Sequence, residues 1–406
     1  MAALLVVIVA LLVAGGVGVV VTTRSTSTNA GPPTEGSSAG ITTTTNGPPR
    51  SNGSAPPSSS PSTTAPAPKG SGLAPVSPLT VPPPASVPPV VNRPLGVPAS
   101  VIAARVDPAV VDVDTRLSFQ QEIAEGTGMI LTSNGVVLTN NHVIDGATTI
   151  EAVSVGNGRT YPAAVLGVDP TADVAVIKLQ GASGLPTVSL SAQAAVPGDA
   201  VVALGNAGGV GGTPSVATGN VAAIDQSIIA DDAGDGSAEQ LDGLIETTAS
   251  LQPGDSGGPL VNAGGQIIGM DTAASSPSGN DTVVSFAIPI ADAMGIAQQI
   301  EQGQSSNTVF LGVPGFLGVT VVTAAGPGGQ TGALINGVVA GSPAEGAGMA
   351  DGDLITVVSG TAIDSSAALT AVLRRTMPGQ RVTIGWIDRT GVTHMTPLVL
   401  GTGPAA

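Results

Sequence analysis

The chain has 406 residues, room for two or three domains, and a formal charge of −16 with 28 acidic against 12 basic residues. That balance argues against nucleic acid as a partner and for solubility, but says nothing about fold. Zero cysteines exclude disulfides and thiolate metal sites without identifying the compartment, since an extracytoplasmic protein can do without disulfides.

Ala2 to Val21 is an uncharged, largely aliphatic run, long enough as a helix at about 1.5 Å per residue to cross about 30 Å of hydrocarbon. A signal-peptide core is shorter, follows a basic segment and precedes a small-residue cleavage site. None of these marks is present, so residues 1–23 are expected to be an uncleaved membrane anchor, with cleavage and secretion as the alternative. The missing basic flank is consistent with a true start upstream of Met1. Residues 24–100 are rich in Pro, Ser, Thr and Gly, and Thr22 to Ser100 holds 18 of the chain's 34 prolines. Such a segment buries too little apolar surface to offset its ordering entropy. It is expected to be a disordered tether, with a span of roughly 50 Å as a flexible coil.

From Val101 the texture changes to short aliphatic runs separated by turn residues. Ser133-Asn134-Gly135 between two such runs is a hairpin signal. Further runs are expected as strands at 163–168, 174–179, 200–204, 215–224, 244–248, 266–270 and 283–288, with a helix over 290–302. Many short strands with regular turns and few helices predict an all-β barrel or sandwich. The glycine-rich Gly205 to Gly212 lacks the Gly-Lys-Ser/Thr of a phosphate loop and opens no helix. It is expected to be a surface loop beside the cleft.

The centre of the domain is Gln252-Pro253-Gly254-Asp255-Ser256-Gly257-Gly258. Glycines let the chain turn tightly and bring backbone close to a ligand. A carbonyl attacked by Ser256 Oγ becomes an oxyanion, and the loop Gly254, Asp255, Ser256 offers backbone N–H groups to receive it, those of Gly254 and Ser256 first. A hydroxyl needs a histidine base held by a third group. The chain has two histidines. His142 ends an alternating run and is the expected general base, whereas His394 sits in a later unit and reads as an ordinary strand histidine. Asp173, heading the Val174 run, is the expected orienting acid, with Asp169, Asp145 and Asp199 as competitors. The order His142, Asp173, Ser256 is that of the chymotrypsin-type double barrel; an α/β-hydrolase elbow wants Ser…Asp…His, and a subtilisin Asp…His…Ser. With two histidines and scattered carboxylates, no metal site and no cofactor are expected.

These three segments, with their flanks and spacings, resemble the HtrA family of serine proteases, close to a secreted actinobacterial branch; the likeness covers roughly residues 100–400. It implies a mainly β fold, a chymotrypsin-like double six-stranded β-barrel at 101–305 followed by a small α+β PDZ domain at 306–402. It also implies an extracytoplasmic serine endopeptidase acting on unfolded or misfolded proteins; the alternative is a non-cleaving chaperone of the same fold. A homotrimer is a further implication. Many members carry Asn before the serine; this chain has Asp255, whose partner is not legible. In trypsin-like domains the residues before the serine line the S1 pocket, here Thr248, Ala249 and Ser250. No carboxylate stands six positions upstream of Ser256, so cleavage after Val, Ala or Leu is expected. Phe316-Leu317-Gly318-Val319 resembles the PDZ loop that captures a C-terminal carboxylate; it is preferred to the copy at Phe310-Leu311-Gly312-Val313 because a strand-like run continues from Val319. Residues 365–375 are expected to be the helix flanking a peptide added at a sheet edge.

Overall fold

A computed structural model of the chain describes residues 91–117, 122–231, 238–274, 284–326 and 329–405, together with Leu5–Val7 (β1) and Thr22–Arg24 (β2), which pair antiparallel. Of the tether expected at 24–100, residues 25–90 lie outside the described residues, as does most of the expected anchor. Within the anchor run the described part, β1, is a short strand rather than helix. No helix among the described residues is long and apolar enough to cross a membrane.

Residues 91–98, expected to belong to the tether, are bonded to the folded part. The Arg93 N–H donates to the Gly198 carbonyl at 2.8 Å, and Asn220 Nδ2 donates to the Arg93 carbonyl at 3.1 Å. This docking uses backbone groups of an extended, proline-bearing segment, so no hydrophobic period announced it. Helix α1 (Ala99–Val106) follows, burying Ile102, Ala103 and Val106 on one face at three- and four-residue spacing.

The first barrel comprises β3 (Val110–Leu117), β4 (Glu122–Ile130), β5 (Val136–Thr139), β6 (Thr149–Ser154), β7 (Thr160–Asp169) and β8 (Val174–Leu179), with the one-turn helix α2 (Asn141–Ile144) after β5. The order β7-β6-β3-β4-β5-β8 closes through β7–β8 pairing. The Asn134-Gly135 hairpin sets Met129 opposite Leu138 and Ile130 opposite Val137. The second barrel comprises β9 (Ala200–Gly205), β10 (Ser215–Asp231), β11 (Ala238–Thr247), β12 (Pro259–Asn262), β13 (Ile267–Ala274) and β14 (Ser285–Pro289), closed in the order β10-β11-β14-β13-β12-β9. Closure pairs the first and last strands of each sheet. With so few aromatics the interiors are aliphatic: Val111, Val113, Ile130, Val137 and Ile177 in the first barrel, Val201, Ile245, Leu260 and Ile268 in the second. Helix α3 (Ile290–Glu301) buries Ile290, Ala293, Ala297 and Ile300 and packs against strands of both barrels.

The segment Phe310–Leu311 (β15) adds a strand to the first barrel by pairing with Val168 and Gly167. Then come β16 (Gly315–Phe316), β17 (Val319–Ala325), β18 (Thr331–Val338), α4 (Pro343–Gly346), β19 (Leu354–Val358), β20 (Thr361–Ala362), α5 (Ser366–Leu373), β21 (Arg381–Ile387), β22 (Thr393–Val399) and β23 (Gly401–Thr402). Their main sheet runs β17-β18-β19-β21-β22 over a core that includes Leu317, Ile335, Leu369, Ile384 and Trp386. Beyond β23, Ala405 reaches back to the first barrel. It is buried and exchanges backbone bonds with Gly146 (2.9 Å) and Ala147 (2.8 Å), just after α2.

Candidate active site

His142 enters the cleft on α2, which Asn140 joins directly to the end of β5 at Thr139. Asp173 ends the 3-10 turn Pro170–Ala172, at the head of β8, with φ at 52°. A left-handed backbone at a residue with a Cβ is mildly strained and persists where surrounding bonds hold it. Here Asn140 Nδ2 donates to the Asp173 carbonyl at 2.9 Å. The strands β5 and β8 pair directly, so the two side chains meet although 31 residues separate them. His142 Nδ1 lies 2.9 Å from Asp173 Oδ2, and the His142 backbone N–H donates to Oδ1 at 3.0 Å. With one oxygen on the backbone and one on the ring, the carboxylate favours the tautomer protonated at Nδ1, whose Nε2 can accept a proton. Asp169, the nearest competitor, is engaged elsewhere: it accepts from the Ala172 N–H and from Thr308 Oγ1 at 2.8 Å. Asp199 is paired with Arg93.

Ser256 comes from the other barrel, in the loop before β12. Its Oγ donates to the Thr272 carbonyl at 3.1 Å, and Thr272 Oγ1 donates to Asp173 Oδ2 at 2.6 Å. Thr272 on β13 thus touches the acid and the nucleophile together. Nothing in the sequence marked it, because a threonine in a strand is ordinary until the barrels face each other.

Residues 253–258 form a turn whose peptide planes are each held. The Pro253 carbonyl accepts from the Gly208 N–H at 2.7 Å, and the Asp255 carbonyl from Gly258 at 2.9 Å. The Asp255 N–H donates to the Gln252 carbonyl at 3.0 Å, so this residue, expected within the oxyanion loop, turns its donor inward. The N–H groups of Gly254 and Ser256 donate to none of the described residues. Gly254 has φ at 98°, and a Cβ there would collide with the Asn206 carbonyl, so no other residue fits. The glycine-rich loop packs on this turn instead of merely lying beside the cleft.

The buried Asp255 carboxylate finds its partners within the barrel: Ser215 Oγ donates to it at 2.9 Å and the Gln252 N–H at 2.8 Å. Burial nevertheless raises its pKa. Asp271, wholly buried, has neither oxygen hydrogen-bonded among the described residues. Burial, reinforced by the Asp255 charge, pushes its carboxyl well above the usual carboxylate range.

Of the expected S1 residues, Thr248 and Ser250 are exposed, but Ala249 points into the core of the second barrel. Gly219 packs directly beneath its backbone, which fixes that inward direction. Thr248 Oγ1 accepts from the Asn220 N–H at 2.9 Å.

In the C-terminal unit, Leu317 and Gly318 carry N–H groups that donate to none of the described residues, at the head of β17. Gly318 has φ at 85° and packs on Ser342, leaving no space for a Cβ. Ser366 at the start of α5 bonds Thr323 of β17, with the two hydroxyls 2.9 Å apart. The rival copy at Phe310 is spent on the first barrel. His394 stacks on Trp386, with ring centroids 5.1 Å apart, and meets Asp388 at 2.8 Å. Both contacts tie the β21–β22 hairpin together.

Two closed six-stranded barrels with a His–Asp pair on one and a serine turn on the other define a trypsin-like serine peptidase, here joined to a PDZ unit. The family models agree: "Trypsin-like peptidase domain" matches residues 126–270 and "PDZ domain" residues 315–393. The chain is 36% identical over 352 residues to "Serine protease PepD" of Mycobacterium tuberculosis, covering 82% of this chain and 72% of the relative. It is 36% identical over 270 residues to "Periplasmic serine endoprotease DegP" of Escherichia coli, covering 66% of this chain and 55% of that one. A solved "HtrA-type protease AlgW with tripeptide" is 31% identical over 76% of this chain and 99% of the solved chain, with a TM-score of 0.44. The chain belongs to the HtrA family of serine proteases.

Proposed function

We propose that the protein is an extracytoplasmic serine endopeptidase that cleaves unfolded or misfolded chains through an acyl-enzyme. His142 takes the Ser256 proton as Oγ attacks the scissile carbonyl, and later returns a proton to the leaving amine. Asp173 holds the imidazole and stabilises its cation. The Gly254 and Ser256 N–H groups receive the oxyanion. The observation that carries this reading is the two-oxygen grip of Asp173 on His142, 2.9 Å to the ring and 3.0 Å to the backbone. A holding protein that never cuts would have no use for it. The PDZ unit would take free C-termini at the loop Phe316 to Val319. An anchor at 2–21 and a tether would keep the enzyme at the membrane, supported by the uncharged aliphatic run and the proline-rich composition that follows. Homotrimer assembly remains an implication of family membership, and size determination of the folded chain tests it.

The triad is tested with casein turnover and fluorophosphonate labelling. Wild type should label at Ser256 and Ser256→Ala should not. Asp173→Asn should lose about 10⁴ in turnover by presenting the wrong tautomer, while keeping its fold. Asp169→Asn should be mild, because the asparagine oxygen can still accept from the Ala172 N–H while its amide donates to the Thr308 hydroxyl. Equal losses in both would reassign the acid, and a folded wild type that does not label would remove the enzyme.

A further inference from the structure

Thr127 lies on β4, in the first barrel, wholly buried against the nucleophile turn of the second. Its N–H donates to the Ser256 carbonyl at 2.8 Å, and its Oγ1 donates to the Gly254 carbonyl at 2.7 Å. The same Oγ1 accepts from the Asn206 N–H at 2.8 Å, and the Thr127 carbonyl accepts from Thr139 Oγ1 at 2.7 Å. All its polar groups are therefore used, and three of its four bonds go to the opposite barrel.

The consequence follows from peptide geometry. In a trans peptide the carbonyl and the N–H point in opposite directions. The 253–254 peptide is anchored by its carbonyl on the Gly208 N–H, which sends the Gly254 N–H the other way. The 254–255 peptide is anchored on Thr127 Oγ1, and the Ser256 carbonyl on the Thr127 N–H. Asn206, bonded to the same hydroxyl, begins the loop that carries Gly208. One hydroxyl thus secures the turn directly and through the loop that buttresses it. Gly254, with its free φ, is where such a turn would otherwise flip.

We infer that Thr127 is the positioning residue of the oxyanion hole, holding the Gly254 and Ser256 N–H groups in their receiving orientation from across the barrel interface. This rests on the assignment of those two groups as the hole. Thr127→Val keeps shape and removes the hydroxyl, leaving the buried Gly254 carbonyl and Asn206 N–H unpaired. The hole works on charge that develops in the transition state, so its loss falls on kcat.

The full chain, wild type and Thr127→Val, is assayed on the fluorogenic peptide amide that the wild type turns over best, and for inhibition by the matching peptide boronate. Expected are a kcat lower by about 10- to 100-fold, a KM within about twofold and a boronate affinity weakened in parallel with kcat/KM. Thr127→Ser should recover most of both. Should Thr127→Val not fold, as judged by circular dichroism, Thr127→Ala removes the hydroxyl without placing a methyl against the Gly254 carbonyl and is read in its place. A folded variant with unchanged kcat and boronate affinity, or a serine variant as impaired as the valine one, overturns the inference. Failure of the nucleophile assignment, on which the hole depends, looks different: the boronate would then bind wild type no better than Ser256→Ala.

Discussion

Asp112 shows how this acidic chain carries electrostatic cost inside its fold. It sits buried on β3, accepts the Gly212 N–H at 3.2 Å and has its pKa raised to about 6, chiefly by burial and further by Asp114. Beside it, Glu125, Asp114 and Glu151 stand abreast on β4, β3 and β6, where directly opposed like charges are unfavourable. A carboxyl whose folded pKa lies above its unfolded one penalises folding while charged. The penalty is fully present above pH 6 and is relieved as pH falls from about 6 toward 3.8. Asp112→Asn should therefore stabilise the protein at pH 7.5 by on the order of 1–2 kcal/mol after screening, and hardly at all at pH 4. An asparagine oxygen can still accept from Gly212, so the loop bond survives. Thermal melts at the two pH values check this; an equal gain at both would mean that the charge was not the cause.

At the level of elements, the proposed S1 segment before the nucleophile carries the prediction of what the enzyme cuts. Position 250 is a serine, and of the neighbouring carboxylates Asp255 is buried on Ser215 and Gln252 while Asp271 is wholly buried, its charged form disfavoured by burial. A Lys or Arg side chain entering here would be desolvated without a counter-charge, which is costly. Cut sites in an unfolded substrate, mapped by mass spectrometry, should fall mainly after Val, Ala or Leu. A majority after Lys or Arg would refute the assignment.

Across the whole molecule, one short segment links the proposed peptide-binding loop to the neighbourhood of the candidate base. In β23, Gly401 pairs with Phe316, the first residue of that loop, and Ala405 then bonds Gly146 and Ala147 next to α2 and His142. A peptide carboxylate taken up by the Leu317 and Gly318 N–H groups would reach the protease along this path. Activation can be no larger than the peptide's differential affinity for the competent state. Peptides with free, apolar C-termini should raise turnover of a reporter substrate, and their amidated counterparts much less. Equal activation by both forms, or binding by titration without activation, would reduce the PDZ unit to a substrate tether.

Strand alternation and turn glycines marked an all-β barrel or sandwich, and a glycine-flanked serine with just two histidines to choose between marked the candidate triad. The double barrel and the PDZ unit were legible through the family resemblance. Chain order alone discarded the hydrolase and subtilisin alternatives. Other features were not legible. Thr127 and Thr272 are unremarkable strand threonines whose roles exist only once two barrels face each other. Ser215 as the partner of Asp255 lies 40 residues away in sequence. Ala249 seemed a pocket residue by its distance from Ser256, but the packing of Gly219 beneath it turned it inward. Residues 91–98 looked like tether because backbone bonds to a distant loop leave no mark in composition. The sequence by itself determined which side chains could do the chemistry, since reactivity belongs to residue types and short spacings. Only the tertiary structure decided what holds them in place, because those holding bonds cross between barrels and join segments that no local pattern relates.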